Sequence, residues 1–205
     1  MDFLYKPPKF IKTLFPGIIW DNPTEGIILT IDDGPSDFTF KILDSLERYK
    51  IKAVFFCTGK NIEKHFLEFN AIIKAGHRIE NHGYDHKRLI FKNKKQNYRE
   101  IVKTNEIIKQ ITGKNPELFR PSYGLFNRHT LSTINKCGMK MMLWSFLTGD
   151  HKQDFAHVRR LTDSYLQSNS IIVMHDNKKT RDIFDQSLEF IVKTAKEKKY
   201  FFNCF

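Results

Sequence analysis

The stretch Ile27-Ile28-Leu29-Thr30-Ile31-Asp32-Asp33-Gly34-Pro35 joins two kinds of sequence. Its first five residues are β-favouring and almost continuously apolar, as expected of a strand covered on both faces, and such strands belong to parallel sheets. Two adjacent carboxylates and a Gly-Pro turn follow at once. In parallel α/β folds the loops at the strand C-termini carry the functional groups, so Asp32 and Asp33 stand where chemistry is expected.

Outward from this corner, strands and helices alternate. Phe40, Leu43, Leu46 and Tyr49 repeat at helical spacing, and Ala53-Val54-Phe55-Phe56 forms a second short run ending near Thr58-Gly59. Ile62, Phe66, Phe69 and Ile73 predict one further helix, and His77 to Glu80 a third strand entering Asn81-His82-Gly83-Tyr84-Asp85-His86. A polar helix over roughly 94–111 leads to Leu118-Phe119-Arg120, where Pro121 limits the strand. Met139 to Trp144 and Ile171 to Met174 read as later strands, and Phe184, Leu188, Ile191 and Ala195 mark a last helix. This alternation predicts parallel βα units in one domain.

The 205 residues and 40% hydrophobic content suffice for one substantial core, and no linker or repeat divides them. Thirty-four Lys and Arg against 23 Asp and Glu give a net charge of +11, which favours anionic partners without choosing among them. Nucleic acid is not expected, because charge alone supports it and the aromatic residues fall mainly in apolar runs. Cys57, Cys137 and Cys204 form neither a C-x-x-C pair nor a disulfide framework. From Met1 to Trp20 the apolar residues are broken by Lys6, Pro7, Pro8, Lys9, Lys12 and Pro16, so neither a signal peptide nor a spanning helix is read there, and a cytoplasmic location is the default expectation.

His82 and His86 can share one side of a compact turn and meet one metal ion, and a carboxylate from Asp32 or Asp33 would complete a two-His-one-carboxylate site with open positions. The other carboxylate is then free to act as general base. His175, ending the strand Ile171 to Met174, is placed to supply an acid.

These residues, with others further along, resemble the polysaccharide deacetylase family, the NodB homology domains or family 4 carbohydrate esterases, from about Ile27 to the C-terminus. Thr30 to Pro35 is similar to the family's T-F-D-D-G-P motif, and His82 and His86 to its histidine pair. Phe119-Arg120-Pro121-Ser122-Tyr123-Gly124 resembles F-R-P-P-Y-G, while Trp144-Ser145 with Asp150, and Val173-Met174-His175, resemble the last two motifs.

The resemblance implies a distorted (β/α) barrel over 27–205, with residues 1–26 as an extension packed on it. It implies Asp32 as base, Asp33, His82 and His86 as metal ligands, and His175 as acid. Arg120 would orient the base, Asp150 would support the acid, and the Tyr123 N–H would bind the oxyanion. Pro121, Trp144 and Met174 would wall the substrate site.

The implied cofactor is a divalent metal, Zn2+ first, with Co2+ or another divalent ion as alternatives. The implied substrate is an N-acetylated carbohydrate; the basic residues Lys87, Arg88, Lys92, Lys94, Lys95 and Arg99 after the histidines, and Lys178, Lys179 and Arg181 after His175, add the expectation that it is anionic or lipid-linked, with peripheral membrane contact as one way of reaching it. Two alternatives stand: O-acetyl esters or a non-sugar amide at the same metal site, and a non-catalytic glycan-binding module.

Departures from the pattern concern pocket shape. Leu147 stands where many members have an aspartate, His151 replaces a tryptophan, Gly83 a Ser or Thr, and Ser122 a proline.

Overall fold

A computed structural model describes residues 5–204. Its eight-stranded sheet has the order β5-β4-β3-β2-β1-β7-β6, curled into a half-barrel with helices around it. The central strands are β1 (Ile27–Asp33), β2 (Val54–Cys57), β3 (Arg78–Asn81) and β7 (Ile171–His175). The remaining strands of this path, β4 (Leu118–Phe119), β5 (Lys140–Met141) and β6 (Phe146–Leu147), are short, and every pairing is parallel. The stretch expected as one strand over Met139 to Trp144 thus yields only β5, with β6 beginning beyond it. A strand absent from the sequence reading, β8 (Phe202–Asn203), pairs with the first two residues of β1.

Register places the chemistry. Ile28, Thr30 and Asp32 of β1 lie opposite Ile171, Val173 and His175 of β7, and Thr30 and Asp32 lie opposite Val54 and Phe56 of β2. Side chains alternate along a strand, so these residues share one face of the sheet. At the lower end that face is apolar: Ile28, Val54, Phe56, Leu118, Met142 and Ile171 form their own buried cluster. Thr30, Asp32 and His175 follow above it, toward the strand C-termini. The opposite face, with Ile27, Leu29, Ile31 and Phe55, packs into the larger core shared with the helices.

The helices are α1 (Lys9–Leu14), α2 (Thr39–Arg48), α3 (Gly59–Lys64), α4 (Phe66–Lys74), α5 (Lys94–Thr112), α6 (Arg128–Lys136), α7 (Phe155–Tyr165) and α8 (Phe184–Glu197). Phe184, Leu188, Ile191 and Ala195 of α8 are all buried, as their spacing predicts. On α2 the stripe is rotated: Phe40 is exposed and Ile42 and Leu46 are buried. The single helix expected through Ile62 to Ile73 is two, because His65 leaves the helical region at φ −121°, ψ 54°.

The first turn of α5 is closed by a reciprocal Asn93–Gln96 capping box, and Gly113 ends it in the left-handed conformation. Residues 5–26 join the same body: Tyr5, Ile18 and Trp20 are buried in the main core, and Ile19 bridges to Met142. Residues 1–4 of the expected extension lie outside the described residues. No helix among the described residues is long and apolar enough to cross a membrane.

Candidate active site

The C-terminal ends of β1, β3, β4 and β7 and the loop after β6 surround a cleft of about 550 Å3 lined by Asp32, Asp33, His82, His86, Tyr123 and His175, among others. Consecutive residues of a strand point to opposite faces, so two adjacent carboxylates would not normally reach one cleft. Asp33 adopts φ 77°, which ends the alternation, and both carboxylates line the same space. His86 (φ 52°) and Tyr123 (φ 62°) are also left-handed. Non-glycine residues in this region cluster at functional sites, held by the structure around them.

Asp33, His82 and His86 bring one ligand atom each to within 4.8 Å of one another. Asp33 Oδ1 lies 2.9 Å from His86 Nε2 and 3.5 Å from His82 Nε2, yet it is buried and has no hydrogen-bond donor. His82 Nδ1 lies 2.8 Å from the Arg120 carbonyl. A carbonyl only accepts, so Nδ1 carries the proton and the Nε2 lone pair faces Asp33.

A buried carboxylate oxygen without a hydrogen-bond partner, faced by the His82 Nε2 lone pair and close to the His86 ring, fits a cation, and two histidines with one carboxylate leave room for further ligands. Burial would push the Asp33 carboxyl up, but positive charge offered at this spot, a proton on the His82 or His86 imidazole or a cation in its place, with His175 nearby, holds it well below the ordinary carboxylate range.

Arg120 is fully buried. Its guanidinium donates to Asp32 Oδ1 (2.7 Å), Thr30 Oγ1 (2.6 Å) and the carbonyls of Met142 (3.1 Å) and Leu143 (2.8 Å), and lies 4.1 Å from the centre of the Phe56 ring. Asp150 is also fully buried: one carboxylate oxygen meets His175 Nδ1 at 2.7 Å and the other accepts the His175 backbone N–H at 2.8 Å. Burial alone would lower the His175 pKa; Asp150, aided by Asp33 and Asp32, instead raises it to about 10.

Pro121, Trp144, Leu147 and His151 line the cleft with Tyr123, whose ring lies 4.8 Å from that of His86. Leu147 and His151 are therefore wall residues, and His151 stands edge-on to His175 at 5.7 Å. Met174 is a correction: it is fully buried in the core and does not line the cleft. Strand alternation turns it away and gives the position to Val173, which shares the face of His175.

Three positioning residues escaped the sequence reading. Asn177 Nδ2 donates to Asp33 Oδ2 at 2.7 Å, and it lies two residues past His175, the spacing that keeps a side chain on the cleft face. Asp176 is buried beneath the β1 turn, where Ser36 and Thr39 donate to it at 2.5 Å each. A Cβ on Gly34 would come within 2.6 Å of its carboxylate, so only glycine allows that approach. Glu100 of α5 accepts the backbone N–H groups of Tyr84 (3.1 Å) and Asp85 (2.9 Å), fixing the loop between the two histidines.

Of the basic residues, Lys178 and Lys179 line the cleft, whereas Lys87 pairs with Asp85 at 2.6 Å and Arg181 with Asp37 at 2.6 Å.

Fold and cleft together define an α/β half-barrel protein with a two-histidine, one-aspartate centre at its strand ends. The family model described as polysaccharide deacetylase matches residues 21–142, and the chain belongs to that family.

It is 35% identical over 153 residues to a peptidoglycan-N-acetylglucosamine deacetylase of Bacillus cereus, covering 73% of this chain and 55% of that protein. Among solved structures it resembles a peptidoglycan N-acetylglucosamine deacetylase in complex with an N-oxidanyl-benzamide, with TM-score 0.88 and 29% identity over 96% of this chain and 94% of the other. It also resembles a family 4 carbohydrate esterase from Streptomyces lividans in complex with acetate, with TM-score 0.79 and 27% identity over 88% of this chain and 92% of the other. The chain spans only about half of that Bacillus cereus relative, and 33% of a similar Listeria monocytogenes deacetylase.

Proposed function

We propose that the chain is a metal-dependent hydrolase that removes N-acetyl groups from N-acetylhexosamine in a glycan, oligosaccharide or glycolipid. The observation that carries this reading is the pair of differently held groups beside the Asp33–His82–His86 centre: Asp32 gripped by Arg120, and His175, its register neighbour on β7, gripped by Asp150. Relatives named as peptidoglycan deacetylases, and one solved with acetate, support it.

Asp33, His82 and His86 would hold the cation, Zn2+ suiting two imidazoles and a carboxylate. When bound, such an ion supplies a Lewis acid that polarises a carbonyl and makes a water molecule more acidic. Asp32, oriented by Arg120, accepts the proton of the attacking water. The Tyr123 backbone N–H hydrogen-bonds the oxygen that becomes negative as the tetrahedral centre forms. His175 donates its Nε2 proton to the departing amine, leaving acetate and a free amino sugar.

His175 is poised for this because Asp150 keeps the imidazole protonated and fixes its orientation. Neutralising part of the Asp33 charge would bring His175 down from about 10 toward the working range of an acid.

Acetate release from chitooligosaccharides, peptidoglycan fragments and acetylated xylan, with and without chelator, tests the reading. Chelator-sensitive release from the N-acetylated substrates is expected. Release from xylan alone would transfer the site to O-acetyl esters.

A further inference from the structure

Beside the cleft runs a second groove, of about 420 Å3, built from the N-terminal segment (Pro8, Phe10, Ile11, Phe15) and the loop after β4 (Leu125, Phe126). It meets the cleft at Tyr123 and Trp144, which line both. Away from that junction its lining among the described residues offers one side-chain hydrogen-bonding group, the Trp20 indole N–H, and the Phe15 carbonyl already takes it at 3.3 Å.

A second sugar ring placed there would find no free side-chain donor or acceptor for the hydroxyls it buries, which is costly. A hydrocarbon would lose nothing and gain burial. Phe10 and Leu14 of α1 remain 62% and 67% exposed near this groove. At the junction the exposed Arg88 guanidinium stands 4.9 Å over the Tyr123 ring, a counter-charge between the polar and apolar compartments.

We propose that the groove takes the hydrocarbon chain of an amphipathic substrate, whose N-acetylated sugar sits in the cleft and whose anionic linker lies against Arg88. This rests on the deacetylase reading and narrows it to a lipid-linked sugar. The groove's continuity with the cleft through Tyr123 and Trp144 sets the order of the parts: sugar, charge, chain.

The protein has two tryptophans, Trp20 and Trp144, and both line the groove, so its intrinsic fluorescence reports occupancy without turnover. The test titrates the metal-loaded protein with methyl, octyl and dodecyl glycosides of N-acetylglucosamine below their micellar concentrations. Affinity should rise at least tenfold from methyl to dodecyl. Phe10→Asp, at an exposed position where folding is not at stake, should remove most of that dependence on chain length. Affinities within twofold of one another across the three glycosides would overturn the proposal. So would a response to phosphatidylglycerol vesicles with none to the dodecyl glycoside, which would make the groove a membrane contact. A protein that binds the long chain tightly yet releases acetate from no N-acetylated sugar would keep the groove and refute the deacetylase reading, so the two failures are distinguishable.

Discussion

Arg120 and His82 are joined through the main chain: the Arg120 carbonyl takes the His82 Nδ1–H at 2.8 Å, while the Arg120 guanidinium holds Asp32 at 2.7 Å. One residue therefore orients a ligand of the proposed cation with its backbone and the proposed base with its side chain. The arrangement depends on the short strand β4, whose end delivers Arg120 into the barrel.

Removing that side chain should be expensive. Arg120→Met leaves Asp32 buried without its partner, and breaking a buried pair from one side costs about 3–5 kcal/mol. Chemical denaturation should show this loss, and the double variant Arg120→Met with Asp32→Asn should recover a good part of it. A double variant as unstable as the sum of its parts would mean that the pair is not coupled.

Asn177 offers a subtler test, since it touches the proposed site only through Asp33. Asn177→Ala should weaken metal binding about 10–100-fold, as expected when a group that orients a ligand is lost. Competition against a chromophoric chelator measures this directly. An unchanged metal affinity would show that the Asn177–Asp33 bond does not matter to the site.

The His175–Asp150 pair predicts a pH signature. The folded-state pKa of His175 is raised to about 10, above its value of roughly 6.5 in an unfolded chain, so the pair stabilises the fold fully below the lower value and loses its effect as pH rises through the upper one. In metal-free protein, the thermal stability advantage of the wild type over Asp150→Asn should therefore shrink as pH rises from 7 toward 10. In the loaded enzyme, Asp150→Asn should move the alkaline limb of activity to lower pH. An advantage that grows with pH would reverse the assignment.

Trp144 packs so closely on Gly124 that an added Cβ would come within 2.5 Å of the indole, and Gly124 itself sits at φ 68°. Gly124→Ala should cost about 1 kcal/mol or more and displace the cleft wall, seen as a shift in tryptophan emission together with a raised KM. Wild-type emission and KM in this variant would mean that Trp144 does not shape the cleft.

Much of this was readable in the sequence because continuous apolar strands and their polar ends are local signals. β1 and β7 are such strands, and the residues that follow them fall where parallel topology puts functional groups. What escaped has particular physical causes. Helical spacing assigns Phe40 to a buried stripe, but the neighbours of α2 cover Ile42 instead. Nothing in the spacing of Ile62 to Ile73 marks the break at His65. Val173, not Met174, shares the face of His175 by the alternation of the strand, a signal present in the spacing, whereas the left-handed turn that brings Asp33 beside Asp32 is a property of the folded corner. Asn177 carries a weaker signal, its place two residues beyond His175 on the same side of the chain.

The proposed reaction turns on Asp32 as the base beside a cation held by Asp33, His82 and His86. It is tested by acetate release from N-acetylated oligosaccharides and from dodecyl N-acetylglucosaminide by the zinc-loaded wild type and Asp32→Asn, with bound metal measured in the same samples. The variant should retain its metal and lose at least about a hundredfold in turnover, within the range assigned to general base catalysis. Turnover by Asp32→Asn at the wild-type rate, or no acetate from the fully loaded wild type, would contradict it.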